Sequence, residues 1–354
     1  MRGGRRRAGF VSNEYMVDIY VIPLLKIVIV LAAVIAGVAY MTLLERKVIG
    51  WIQVRLGPMR VGPYGTLQPI ADVLKLLLKE DITPARADKW VYKAAPIIVL
   101  VPALIVFAVI PFGETVRLFG RDIPLYVADI NVGLLYIVSV ASIGIYGIIL
   151  GGWASNSKYS LLGSLRSSAQ LVSYELAVTM TLVSVIMTAG TLSMVKIVEA
   201  QQSSGLWFAF VQPVAFVIFF IGGLAETNRA PFDLPEGEQE LVAGFFTEYS
   251  GIRFALFFLA EYANMIVVSS VATTLFLGGW LHPFPGVAVF GFLGFIPGWI
   301  WFLLKTFVLL YLFIWIRATF PRYRYDQLMR LGWKVLIPLA IVNMVVTGIV
   351  KVAL

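Results

Sequence analysis

The sequence has no cysteine and a single histidine, His282. Thiolate ligation of iron-sulfur clusters and haem ligation by a histidine pair are therefore excluded within this chain, so any redox chemistry it serves needs electrons carried by a partner. Charge is also scarce. Only 14% of the 354 residues are Asp, Glu, Lys or Arg, against 60% hydrophobic residues and a mean hydropathy of +0.88. A water-exposed surface needs far more charge, which excludes a soluble domain of this length. No Walker loop, dinucleotide glycine fingerprint or zinc-spaced Cys/His set occurs, so direct nucleotide or metal catalysis is not expected. The net charge of +8 comes mainly from cations flanking apolar segments, which is membrane topology rather than nucleic-acid binding.

What is present is a series of apolar runs of roughly 20 residues, the length a helix needs to cross the hydrocarbon core. Eight are read, at about 17–44, 94–112, 131–151, 171–190, 209–225, 252–278, 290–316 and 332–353. The short alternating segments of a membrane β-barrel are absent. The fold class expected is an all-α polytopic membrane protein, one integral membrane domain over residues 1–354. The basic stretch Arg2 to Arg7 resembles the start of a signal peptide, but the long apolar run after it reads as a spanning helix. Eighteen Lys and Arg residues fall in the odd-numbered loops and eight on the other side, so the odd loops are expected to face the cytoplasm or its equivalent. The Arg2 to Arg7 cluster pulls the other way.

Three of the cytoplasmic loops, at 45–93, 226–251 and 317–331, carry the candidate residues. In the first, Gly57-Pro58 and Gly62-Pro63-Tyr64-Gly65 force turns around Arg55 and Arg60. Ile70, Val73, Leu74 and Leu77 then recur at helical spacing, with Asp72, Lys75 and Lys79 on another face. This stretch is too short to span and predicts an amphipathic helix lying along the membrane surface. Glu45-Arg46-Lys47, at the end of the first span, is a charge cluster placed to meet it.

The second loop concentrates acid. Glu226, Asp233, Glu236, Glu238, Glu240 and Glu248 crowd a short segment with Arg229, while Pro231 and Pro235 bar an uninterrupted helix. Acids at a membrane persist mainly where they line a water path, bind a partner or pass protons. Glu261 falls near the middle of its span and is expected to face a polar cavity or a cation. Glu175 is expected near the start of its helix, complementing the N-terminal dipole or serving a function. Lys305, mid-span, is a candidate counter-ion for one of these acids. The last loop alternates Arg317, Arg322 and Arg324 with Tyr323 and Tyr325, which suits headgroups or an acidic protein surface.

Ala225 to Glu236 with Glu238 and Glu240, Phe246-Thr247-Glu248-Tyr249, Glu45-Arg46-Lys47, Gln53 to Pro58, Ala71 to Glu80 and Arg317 to Met329 together resemble the H-subunit family of respiratory complex I, the proton-pumping NADH:quinone oxidoreductase. The likeness covers nearly the whole chain. It implies a subunit at the heel of the enzyme, between membrane arm and hydrophilic arm, that shapes the quinone tunnel and begins a polar path toward antiporter-like subunits. Carried over by position, it places Arg46, Arg55, Asp72, Lys75, Arg229, Phe232 and Arg317 near the quinone. Glu45, Asp72, Glu175, Glu226, Asp233, Glu236, Glu238, Glu240, Glu248 and Glu261 become the coupling acids. It further implies no redox centre in this chain, quinone as substrate of the complex, and FMN and iron-sulfur clusters in partner subunits. The partners implied are the quinone-site and iron-sulfur subunits of the hydrophilic arm, and small and antiporter-like subunits of the membrane arm. A bacterial plasma membrane is the first expectation for location, then a mitochondrial inner or thylakoid membrane. Two other readings stay open: the related heel subunit of a membrane-bound hydrogenase or ferredoxin-linked complex, and a free-standing transporter, against which the lack of internal repeats counts.

Overall fold

In hydrocarbon a chain must satisfy its backbone N–H and C=O groups within itself, so each apolar run closes into a helix. The structure is a computed structural model that describes residues 17–118, 120–233, 243–283 and 293–353. In chain order its helices are α1 (Ile22–Ile52), α2 (Gln68–Leu78), α3 (Lys89–Ile105), α4 (Gly133–Ala154), α5 (Lys158–Ala189) and α6 (Met194–Ser204). They continue as α7 (Phe208–Val211), α8 (Pro213–Glu226), α9 (Gly251–Phe276), α10 (Gly298–Thr319), α11 (Tyr325–Leu331) and α12 (Ile337–Ala353). A π-helical turn at Gly332–Leu336 joins the last two into one span.

Among the described residues, seven helical segments are long and apolar enough to cross a membrane. The remaining expected span, at 209–225, is the 14-residue α8, shorter than the roughly 20 residues a perpendicular crossing needs. Gly222 and Gly223 let α8 lie close to its neighbours. A Cβ there would stand 2.4 Å from Val178 Cγ2 of α5 and 2.3 Å from Val268 Cγ1 of α9, so these valines pack directly on the bare glycine backbone. Helices α5 and α9 form the buried centre, whereas α1 and the α11–α12 span are largely exposed at the edges.

Three helix boundaries and one loop differ from the sequence expectations. α1 continues to Ile52 instead of ending near residue 44, so Glu45, Arg46 and Lys47 sit on the helix itself. At 31 residues it is about 46 Å long, well beyond a hydrocarbon core of about 30 Å. α5 starts at Lys158, not near 171, because its first turns carry Ser160, Ser164, Ser167 and Ser168, which are buried against neighbouring helices yet depress hydropathy. Glu175 is consequently mid-helix, and the dipole role expected for it does not hold. α10 begins at Gly298 rather than 290. Last, the loop after α3 contains an unanticipated antiparallel hairpin, β1 (Thr115–Leu118) with β2 (Arg121–Pro124), pairing Val116 with Ile123.

Candidate functional site

The acidic loop leaves α8 at Glu226 and is shaped by α5. The side-chain amide of Gln170 donates to the carbonyls of Ala225 and Phe232, each at 2.8 Å, so one buried residue spans both ends of the turn. Asn228 takes a left-handed conformation (φ 50°) that asparagine tolerates better than most residues. Phe232 is buried between Tyr174 and Tyr323, ring centroids 5.6 Å away on each side. Asp233, also buried, pairs with Arg322 at 3.0 Å.

At the centre of the turn, Arg229 enters the bundle. Its Nε lies 2.6 Å from Glu261 Oε1 of α9, its Nη1 lies 3.5 Å from Glu45 Oε1 of α1, and its guanidinium stands 4.1 Å over the Tyr262 ring. Glu45 is only 4% exposed, yet it also receives Arg317 of α10 and, at 2.5 Å, the hydroxyl of Tyr262. Four segments distant in sequence thus meet at two carboxylates and two guanidinium groups, a balance that makes their burial tolerable. Burial works against the charge of Arg229, but Glu261, Tyr262 and Glu45 more than offset it and hold the group protonated.

Beside this cluster is a cavity of about 60 Å³ lined by Glu175, Glu226 and Glu261, with Ser142, Asn228 and Asn264. A water needs roughly 10–15 Å³ on this measure, so several fit, and these carboxylates, amides and hydroxyl, set in an otherwise largely apolar lining, supply their partners. Ser142 donates to Glu175. Among the described residues, neither Glu175 nor Glu226 has an ion-pair partner. The arrangement can therefore hold water between three carboxylates, one of which belongs to the charged cluster.

The remaining residues singled out from sequence lie apart from this centre. Arg46 pairs with Asp72 at 2.6 Å where α1 meets α2, and Gln68 donates to the same carboxylate at 2.9 Å. Arg55 is exposed and bonds to Gln53 at 2.7 Å; Lys75 is exposed on α2. Glu248 is half-buried and gives its backbone carbonyl to the Tyr92 hydroxyl at 2.6 Å. Glu236, Glu238 and Glu240 lie outside the described residues. Lys305 is not a counter-ion for any of the acids among the described residues. Its Nζ donates to the carbonyls of Leu277, Gly279 and Leu281 at 2.7, 3.0 and 2.5 Å, in the turn just past the end of α9. Sequence reasoning missed Tyr262, Ser142 and Asn264. Only Asn264 had a readable signal, its i+3 spacing from Glu261 on one helix face.

Fold and site together define a polytopic all-α membrane protein that gathers carboxylates and arginines inside its helix bundle, beside a cavity large enough for water. Residues 25–348 match the protein family described as NADH dehydrogenase. The second of two NADH-quinone oxidoreductase H subunits of Geobacter metallireducens is 57% identical over 342 residues, covering 94% of this chain and 96% of that protein. The first H subunit of Geobacter sulfurreducens is 58% identical over 342 residues, covering 94% and 95%. The H subunit of Paraburkholderia xenovorans is 57% identical over 334 residues, covering 92% and 90%. The chain belongs to the H-subunit family of NADH-quinone oxidoreductase.

Proposed function

We propose that this chain is the membrane-arm subunit of a proton-translocating NADH:quinone oxidoreductase, forming the quinone-tunnel entrance and the start of an acidic proton-coupling path in a bacterial plasma membrane. The observation that carries the reading is the buried cluster at Arg229, where α1, the turn after α8, α9 and α10 each contribute a charged group. Arg229 and Arg317 of the cluster, Phe232 of the turn, and Arg46, Arg55, Asp72 and Lys75 at the first loop border the quinone. Glu45, Glu175, Glu226, Asp233, Glu248 and Glu261 carry the coupling, with Glu236, Glu238 and Glu240 beyond the described turn.

Reduction of a quinone to a quinol takes up two electrons and two protons. FMN and the iron-sulfur clusters that deliver the electrons belong to hydrophilic-arm partners on this reading, and this chain offers no thiolate to ligate such a cluster. Protons leaving acids near the tunnel change the charge facing Arg322 and Arg229, and the turn from Glu226 to Asp233 shifts between two pairings in response. Glu261, shared by the cluster and the cavity, passes that change to Glu226 and Glu175 through water, toward small and antiporter-like membrane subunits.

Asp233→Asn tests this reading. NADH:quinone activity of membranes is expected to fall at least about tenfold, while NADH oxidation with a hydrophilic acceptor that bypasses the quinone stays intact. Normal quinone activity would remove Asp233 from the mechanism, and loss of both reactions would mark failed assembly.

A further inference from the structure

Helix α2 lies across the surface with Ile70, Val73, Leu74 and Leu77 exposed, and it is pinned at both ends. Near its start the pin is Arg46–Asp72, which ties it to α1 one residue from Glu45. Past its end the pin is a knot of polar contacts with the start of α9. Arg253, only 15% exposed, places Nη2 at 2.9 Å from Asp81 and Nη1 at 2.8 Å from the Thr83 hydroxyl, with its guanidinium 5.4 Å over the Tyr92 ring. Ser250 bridges the same strand of chain in both directions. Its hydroxyl accepts from the Ile82 N–H at 3.0 Å and donates to the Glu80 carbonyl at 3.1 Å. Tyr92 stacks on Tyr249 at 4.2 Å with an interplanar angle of 3°.

The backbones themselves close the knot. Gly251 has φ +55, and a Cβ there would stand 3.1 Å from the Lys79 carbonyl and 3.6 Å from that of Leu76, so the first residue of α9 sits against the carbonyl end of α2. Opposite dipole ends meet at this point. Arg253 precedes Glu261 on the same helix by about 12 Å at 1.5 Å per residue. Both pins of α2 therefore lead into helices whose acids, Glu45 and Glu261, converge on Arg229.

We infer that Arg253 is a positioning residue for the quinone reaction, clamping the end of the first loop to α9 so that α2 and the helix carrying Glu261 and Tyr262 move as one body. The inference rests on the proposed function, because it takes α2 as a wall of the quinone site. A loop anchor alone would affect assembly; a positioning clamp also alters how quinone is held.

The test uses the whole complex in native membranes, normalised by NADH oxidation with the hydrophilic acceptor. Arg253→Gln is expected to raise KM for a short-chain quinone about three- to fivefold, the scale of a partly buried ion pair. Arg253→Lys should give a smaller rise, and the exchange of Asp81→Arg with Arg253→Asp should return KM most of the way to wild type. An unchanged KM in assembled Arg253→Gln, or no recovery in the exchanged pair, overturns the inference. If Arg253→Gln fails to assemble, Thr83→Val removes one guanidinium acceptor and leaves the ion pair. A raised KM then supports the clamp and an unchanged KM overturns it. Asp233→Asn measured alongside separates the two readings: normal quinone activity there sinks the proposed function, whereas its loss with KM unmoved in the Arg253 variants sinks only the clamp.

Discussion

α10 carries two inward cations, the buried Lys305 and the half-buried Arg317, about 18 Å apart along the helix, and it satisfies them in opposite ways. Lys305 is held by three backbone carbonyls past the end of α9, which cannot gain or lose a proton and leave it one arrangement. Arg317 meets Glu45, whose charge is shared with Arg229 and Tyr262, and Arg229 is shared in turn with Glu261 at the cavity. Carboxylates can exchange protons and partners, which backbone carbonyls cannot, and on the proposed function this second set uses that capacity. The difference separates a buried charge that fastens two helices from a buried set that can respond to chemistry nearby.

Breaking the set is expected to have the largest effect. Arg229→Met leaves Glu45 and Glu261 buried with one cation between them, at a cost of about 3–5 kcal/mol. Assembled complex should be nearly lost from membranes on native gels, and normal assembly would show that the pairing carries little energy. Lys305→Met sharpens the contrast from the other side. Its orphaned carbonyls should cost about 1–3 kcal/mol, lowering the thermal midpoint of the complex without lowering turnover per assembled complex. The smallest effect is expected outside the bundle. The Arg117–Asp122 pair across the hairpin is 84% and 62% exposed, and Arg117→Gln should change neither thermal midpoint nor turnover.

This contrast is only partly legible in the sequence. Composition and apolar runs specify the all-α membrane class, and Asp72, Arg46 and the spacing of Ile70, Val73, Leu74 and Leu77 mark α2. Serines hide the first turns of α5, because hydropathy scores a buried hydroxyl as polar even where it bonds to its own helix, as Ser168 does to Ser164 O at 2.7 Å. Lys305 looks like a counter-ion for an acid because its true partners are backbone carbonyls, which no pattern of side chains reports. The hairpin escapes notice because strands of four residues show too little alternation to read. Glu261 can be singled out alone, but its link through Arg229 to Glu45 and Arg317 depends on how the helices pack.

The most direct test compares Glu261→Gln with Lys305→Met in the same membranes, measuring NADH:quinone turnover per assembled complex. Turnover is expected to fall at least about tenfold in Glu261→Gln, in the range for loss of a proton-transferring group, and not to fall in Lys305→Met. Equal turnover in the two variants, or a loss confined to Lys305→Met, would contradict the claim that the carboxylate set is the part of this protein that works.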